Sequence, residues 1–254
     1  MFFQIIETSS AGNCAYLEHD GVNILIDVGI GIKKIEAYLA KRSLQLDDID
    51  AIFITHEHLD HRKSLKYFAN KRTKIFANRL TAESIIHLDS PTKKLLWAHF
   101  ENGYPFDFKG IEVCAFSVPH DTSDSVGYSF SLNGKNVVWM TDLGKATHLV
   151  KDMAKRANIL VLESNYCPRM LENSSRPYNL KRRIISSHGH LSNSDAIEII
   201  KELSLDSIEK IYLAHISREC NSTSHIADLL ADVGEIKERI EIVSPLCEST
   251  ILEI

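Results

Sequence analysis

The chain has 254 residues, 44% of them hydrophobic and 25% charged, with a formal net charge of −5. This balance is that of a folded globule able to bury a core, and it excludes a disordered tail and a transmembrane helix, since no run approaches the roughly 18 apolar residues of a span. The mild negative charge argues against a generic polyanion binder, although carboxylates held on a metal would be neutralised there.

In chain order, the opening "MFFQIIETSS" lacks the basic n-region and long apolar stretch of a signal peptide, so a first strand in a cytoplasmic protein is expected. Strand patterns follow at "CAYLEH", "NILIDV", "AIFIT", "KIFA", "IEVCAFSV", "GYSFSL", "NVVWMT", "ILVLES", "KIYLAH" and "STILEI". Between them, helical periodicity falls at about 31–43, 61–71, 80–88, 145–156, 193–203 and 222–233. The alternation predicts a mixed α/β chain, and with no low-complexity linker or tandem short repeat, one domain over residues 1–254. Five cysteines (Cys14, Cys114, Cys167, Cys220 and Cys247) are too scattered for a disulfide framework or a CxxC knuckle and are expected to be reduced.

One stretch stands out. "FITHEHLDH", residues Phe53 to His61, crowds three histidines and an aspartate past the end of an apolar strand. Desolvating such groups without partners costs roughly 2–7 kcal/mol each, and carboxyl ends of strands are where α/β sheets place ligands. His56 and His58, two apart in extended chain, point the same way; Asp60 and His61 follow as the chain turns. Two pairs of ligands can face two adjacent metal positions. Further ligands are expected downstream, and three other strand ends offer one each: His120 in "FSVPHD", Asp142 in "VVWMTDLG" and His215 in "IYLAHIS". Singly, each also fits a plainer role, such as a hydrogen-bonded histidine or a helix-capping aspartate. Imidazoles and carboxylates without thiolate suit Zn²⁺, Mn²⁺ or Fe²⁺.

H-x-H-x-D-H followed by His, Asp and His at strand ends resembles the metallo-β-lactamase superfamily. The resemblance implies an αββα four-layer sandwich with two divalent metal ions at the edge between its sheets. It would place His56, His58 and His120 on one metal, Asp60, His61 and His215 on the other, and Asp142 between them. Asp60 would also be catalytic, and Asp27 of "NILIDVG" would orient a ligand histidine from behind.

The same fold serves several hydrolyses. Export and a Cys in place of Asp142 would mark a true β-lactamase, and this sequence shows neither. Residues 159–193, "ILVLESNYCPRMLENSSRPYNLKRRIISSHGHLSN", with "TSSAGNCAYLE" and "LAHISRECN", resemble the YycJ (WalJ/VicX) branch, and the arrangement is similar to the tRNA 3′-processing endonucleases. That likeness implies a carboxylate–histidine pair on Glu163 and His190, and a 5′ to 3′ DNA exonuclease activity. Chemically, His190 could protonate a leaving oxygen with Glu163 favouring its protonated form; His188 could do the same job. Lys181, Arg182 and Arg183, with Arg169, Arg176, Arg62, Lys63 and Lys66, are candidates for a nucleic-acid backbone, or else an ordinary solvated face. Tyr166 and Tyr178 could stack on bases. Ser192 and Asn193 are candidate substrate contacts that could equally cap the helix starting "SDAIEIIKEL". A dinuclear phosphodiesterase acting on DNA is expected; a small-molecule ester, thioester or lactone hydrolase is the alternative.

Overall fold

A computed structural model describes residues 1–69 and 71–253, so Asn70, inside the helix expected at 61–71, and Ile254, at the end of "STILEI", lie outside the described residues. Six strands come first along the chain: β1 Phe2–Ser9, β2 Gly12–His19, β3 Val22–Ile26, β4 Ala51–Phe53, β5 Lys74–Asn78 and β6 Leu96–Phe100. Eight follow: β7 Phe106–Phe108, β8 Ile111–Ser117, β9 Val126–Leu132, β10 Lys135–Met140, β11 Ile159–Glu163, β12 Lys210–Ala214, β13 Ile240–Ile242 and β14 Leu252–Glu253. They form two seven-stranded sheets, ordered β14-β1-β2-β3-β4-β5-β6 and β13-β12-β11-β10-β9-β8-β7. The helices are α1 Ile32–Lys41, α2 Leu59–Arg62, α3 Arg79–Leu88, α4 His148–Lys155, α5 Pro168–Asn173, α6 Tyr178–Ile184, α7 Asn193–Lys201 and α8 Thr223–Leu229. Among the described residues, no helix is long and apolar enough to cross a membrane.

Period-two alternation builds the layers. Phe3, Ile5, Ala15, Leu17, Phe53, Val113, Tyr128, Phe130, Trp139 and Tyr212 meet in one core between the sheets. The opposite faces carry Tyr16, Leu25 and Ile52 under α1 and α3, and Val138, Leu160 and Leu213 under α4 and α7. Helix, sheet, sheet and helix are thus stacked, which is the αββα order expected from the sequence.

The two sheets share a connection pattern. From β14 to β3, and from β7 to β10, neighbours are antiparallel; from β3 to β6, and from β10 to β13, they are parallel. β3 and β10 therefore occupy matching positions, and each is followed by an Asp-x-Gly turn, Asp27-Val28-Gly29 and Asp142-Leu143-Gly144. Both aspartates have left-handed backbone, with φ of 54° and 57°.

The expected helix at 61–71 is broken. α2 ends at Arg62 because the Ser64 amide and hydroxyl bond to the carbonyls of Val28 and Ile30, at 2.9 and 2.5 Å, drawing the chain onto the end of β3. A short 3₁₀ turn, Leu65–Phe68, takes over. The β4 end is braced within its sheet, where Phe53 stacks on Phe76 at 4.6 Å, and across to the other, where Tyr128 donates to the Ile54 carbonyl at 2.6 Å. Truncating a buried Phe of this kind costs about 3–5 kcal/mol, so the strand that delivers the histidines is firmly held.

Candidate metal centre

Each expected ligand arrives on the carboxyl end of a strand or the loop after it. His56 and His58 follow β4, Asp60 and His61 lie in α2, His120 follows β8, Asp142 follows β10 and His215 follows β12. Donor atoms of His56, His58 and His120 lie within 4.8 Å of one another, as do those of Asp60, His61 and His215. Asp142 reaches both groups, 3.0 Å from His61 Nε2, 3.1 Å from His215 Nδ1 and 3.7 Å from His120 Nε2. His56, His61, Asp142 and His215 are buried almost completely.

The rings are turned inward by acceptors behind them. His61 Nδ1 donates to Asp27 Oδ2 at 2.7 Å, while Asp27 accepts from the Thr55 amide and hydroxyl, both at 2.9 Å. His120 Nδ1 donates to the Gly189 carbonyl at 2.9 Å, and His215 Nδ1 to Glu163 Oε1 at 3.1 Å. Spending Nδ1 in this way presents Nε2 to the cluster, the orientation a metal ligand requires. Burial, together with neighbouring histidines, pushes His56 well below and His58 and His120 below the usual histidine range, favouring the neutral ligand form. Burial opposes the Asp142 carboxylate, but His215, His61 and His120 outweigh it and keep it ionised.

Two atoms show what the cluster lacks. His215 Nε2 is buried and without a hydrogen-bond partner among the described residues, and the buried Asp142 Oδ2 meets only the ring of another candidate ligand, His61 Nε2 at 3.0 Å. A buried polar atom left unpaired is costly, and divalent cations at this imidazole–carboxylate set would satisfy both. The clusters suit divalent metal ions, with nitrogen and oxygen donors and no thiolate among them.

Glu163, buried at the end of β11, is saturated. Its Oε1 accepts from His190 Nδ1 at 2.8 Å as well as from His215, and its Oε2 accepts from the amides of Leu143 (2.9 Å) and Leu191 (3.1 Å). Burial works against a charged His190, yet Glu163 and Asp142 prevail and hold it up at about 9. His190 lines a cleft of about 350 Å³ with His58, Asp60, His120 and Asp142. His188 is exposed and bonded to Ser187 at 3.1 Å, away from Glu163.

The basic run divides. Arg183 lines the cleft and pairs with Asp121. Lys181 instead gives its ammonium to the carbonyls of Glu172 and Ser174, both at 2.7 Å, and Arg182 lies over the Tyr178 ring. Ser192 caps α7 through the Asp195 amide, and Asn193 is 1% exposed. Asn193, Ser164 and Asn221 form a buried hydrogen-bonded knot, so the E-S-N, L-S-N and E-C-N segments pack on one another beneath the site. Of the expected substrate contacts Lys181, Arg182, Arg183, Ser192 and Asn193, Arg183 lines the cleft, while the groups of the other four lie against backbone, ring or knot. Tyr166 is buried too, and Arg62 is tied to the Glu57 carbonyl at 2.7 Å.

Three contributors escaped the sequence reading. Asn13 brings its amide within 3.0 Å of His61 Nε2, and Thr8 accepts from the His215 amide at 3.0 Å. Both lie in "TSSAGN", the segment whose likeness to the branch was the available signal. The third is glycine. A Cβ on Gly29 would fall 1.5 Å from the Asp60 carbonyl oxygen, one on Gly144 2.4 Å from the Gly189 amide, and one on Gly189 2.2 Å from the Ile184 carbonyl. The ligand loops touch backbone to backbone.

Residues 22–216 match the family model described as the beta-lactamase superfamily domain. The chain is 34% identical over 224 residues to exodeoxyribonuclease YycJ of Bacillus anthracis, covering 87% of this chain and 84% of that one. It is 33% identical over 226 residues to exodeoxyribonuclease WalJ of Streptococcus pneumoniae D39, covering 86% and 82%. The structure of human tRNase Z, short form, shares the fold with a TM-score of 0.68, 18% identity and 98% and 99% coverage. The chain belongs to the beta-lactamase superfamily, and within it to the family of YycJ and WalJ.

Proposed function

We propose that this protein is a dinuclear metal-dependent phosphodiesterase that degrades DNA from an end, as the names of its YycJ and WalJ relatives say of them. His56, His58 and His120 would hold one ion and Asp60, His61 and His215 the other, with Asp142 shared. The 5′ to 3′ direction rests on the family likeness.

Cleaving a phosphodiester needs a nucleophile, neutralisation of charge on the phosphoryl oxygens and a proton for the leaving oxygen. When bound, divalent ions supply the first two by acidifying water and acting as Lewis acids. The chain supplies the third. His190 has given Nδ1 to Glu163, so its Nε2 is the atom left to deliver a proton into the cleft, and Glu163 stabilises the charged ring. The Leu143 and Leu191 amides on Glu163 Oε2 fix that carboxylate and so aim the ring. Asp60, in the Asp60–His61–His215 group and on the cleft wall, is the carboxylate placed to orient the attacking water.

The observation that carries this reading is His190 held by a buried carboxylate at the lip of a cleft shared with the ligand cluster. Arg176 and Arg183 on the same cleft favour an anionic substrate over a neutral ester or thioester. The test is elemental analysis of the purified protein coupled to turnover of end-labelled duplex DNA, RNA and a generic thioester. Two equivalents of Zn, Mn or Fe with stepwise shortening of DNA is the expected result; thioester turnover without DNA cleavage would overturn it.

A further inference from the structure

The cleft is lined by two chemically different sets of residues. One is the cluster of His58, Asp60, His120, Asp142 and His190; the other is formed by Arg176, before α6, and Arg183, within it. Leu59, Leu180 and Ile184 add apolar surface, and Ser10, Asp121 and Gly189 complete the lining.

Both arginines are registered against loops that carry candidate ligands. Arg183 pairs through Nε with Asp121, the residue after His120, and Arg176 bonds through Nε to Glu219, four residues past His215, at 3.1 Å. The segment bearing them is anchored from below by Tyr166, Leu171, Leu180, Ile184 and Cys220. Its C-terminal end rests on Gly189, where the His190 amide bonds to the Ile184 carbonyl at 2.9 Å. The two guanidinium groups are therefore fixed relative to His190 rather than carried on a free loop. A guanidinium has five donors, and the one hydrogen bond each makes uses only Nε, leaving its Nη groups without a protein partner among the described residues.

A single scissile phosphate has its reactive contacts at the cluster and His190, and the two guanidinium groups add donors beyond those contacts. Planar guanidinium groups match phosphate oxygens in pairs, and the apolar residues give a sugar or base a surface to lie on. We propose that Arg176 and Arg183 are positioning residues that hold a second phosphate group of the same substrate, one nucleotide unit from the bond being cut. The cleft would thereby separate polynucleotides from simple phosphodiesters. This rests on the phosphodiesterase reading above and deepens it. The second phosphate can be an internucleotide diester or a terminal monoester; the chemistry recognised is the same.

The experiment compares kcat and KM for wild type, Arg176→Ala, Arg183→Ala and Arg183→Lys on three metal-loaded assays: DNA with a 5′-phosphate, DNA with a 5′-hydroxyl, and bis(p-nitrophenyl) phosphate. Each Ala variant is expected to raise KM for DNA about 10- to 100-fold, and to lower by a similar factor the selectivity, kcat/KM for DNA over that for bis(p-nitrophenyl) phosphate. Arg183→Lys recovers part of the loss, and the salt dependence of DNA binding flattens by about 0.7 per lost contact on a single strand. A KM effect confined to 5′-phosphorylated DNA assigns the terminal monoester; an equal effect on both DNAs assigns the internucleotide phosphate. A merely structural ion pair would lower turnover of all substrates in proportion, and an unchanged selectivity would overturn the proposal. Wild-type protein that cleaves bis(p-nitrophenyl) phosphate but no polynucleotide overturns both readings, whereas DNA cleavage by wild type with unaltered selectivity in the variants overturns this one alone.

Discussion

Replacing Glu163 with glutamine is expected to weaken the fold and the acid together. Four donors converge on this carboxylate: His190 Nδ1, His215 Nδ1 and the amides of Leu143 and Leu191. A glutamine can accept on one oxygen only, so its NH₂ faces two of those donors whichever way it turns. Two hydrogen bonds to a charged acceptor are lost, at about 1.5–3 kcal/mol each, in line with the roughly 3–5 kcal/mol for breaking a buried pair. Metal-free Glu163→Gln should therefore unfold about 3–5 kcal/mol more easily than metal-free wild type at pH 6.5. The pH dependence has a definite sign. In the metal-free fold His190 is held up at about 9, against about 6.5 in an unfolded chain. Its contribution to stability is fully present below about 6.5 and is lost as pH rises through 9, a change of roughly 3 kcal/mol at most. Wild-type stability should fall over that window and the variant's should fall less. Urea unfolding of both proteins between pH 6 and 10, with His190 titration followed by NMR, measures each quantity. Equal midpoints of unfolding at pH 6.5, or a His190 titration unmoved by the substitution, would refute the reasoning.

Other perturbations separate the parts of the site. His190→Ala should slow DNA cleavage about 10²- to 10⁴-fold while metal content by elemental analysis stays at the wild-type level; loss of metal would mean the ring is a ligand. Asp142→Ala should lose both ions together in an equilibrium dialysis titration, because a shared carboxylate offsets the repulsion between two dications; retention of one tight ion would count against sharing. Gly189→Ala places a Cβ 2.2 Å from the Ile184 carbonyl and 2.3 Å from that of Arg183. Backbone cannot step aside cheaply, so a cost of about 1–3 kcal/mol is expected, read as a lower melting temperature and reduced DNA turnover; a melting temperature equal to wild type would show that α6 can shift freely.

What could be read from the sequence was the part written in local pattern. H-x-H-x-D-H after "AIFIT" is legible because a buried strand end tolerates such residues only with a partner, and His120, Asp142 and His215 repeat that context. The basic triplet is divided because consecutive residues on a helix turn by about 100° each: Lys181, Arg182 and Arg183 cannot face one way, and of the three Arg183 lines the cleft. The knot around Asn193 and the helix break at Ser64 depend on contacts between segments far apart in the chain, which no local period encodes. The edge strands β6, β7 and β13 went unread for a related reason. They are short and only partly buried, so their alternation is weak.

Asp27, Asp142 and His215 all sit in left-handed backbone, with φ of 54°, 57° and 54°, a region that costs most L-residues about 1–2 kcal/mol, aspartate less than most. All three lie past the ends of strands that pair in parallel on at least one side, where the chain turns sharply to present a side chain to the cluster. Glycine at Asp27 would relax the main chain by that amount but leave the buried His61 and Thr55 donors without their acceptor, a loss of about 3–5 kcal/mol. Heat alone would therefore not erode that turn, and the gains of a thermostabilised descendant would come from elsewhere, such as the outer helices.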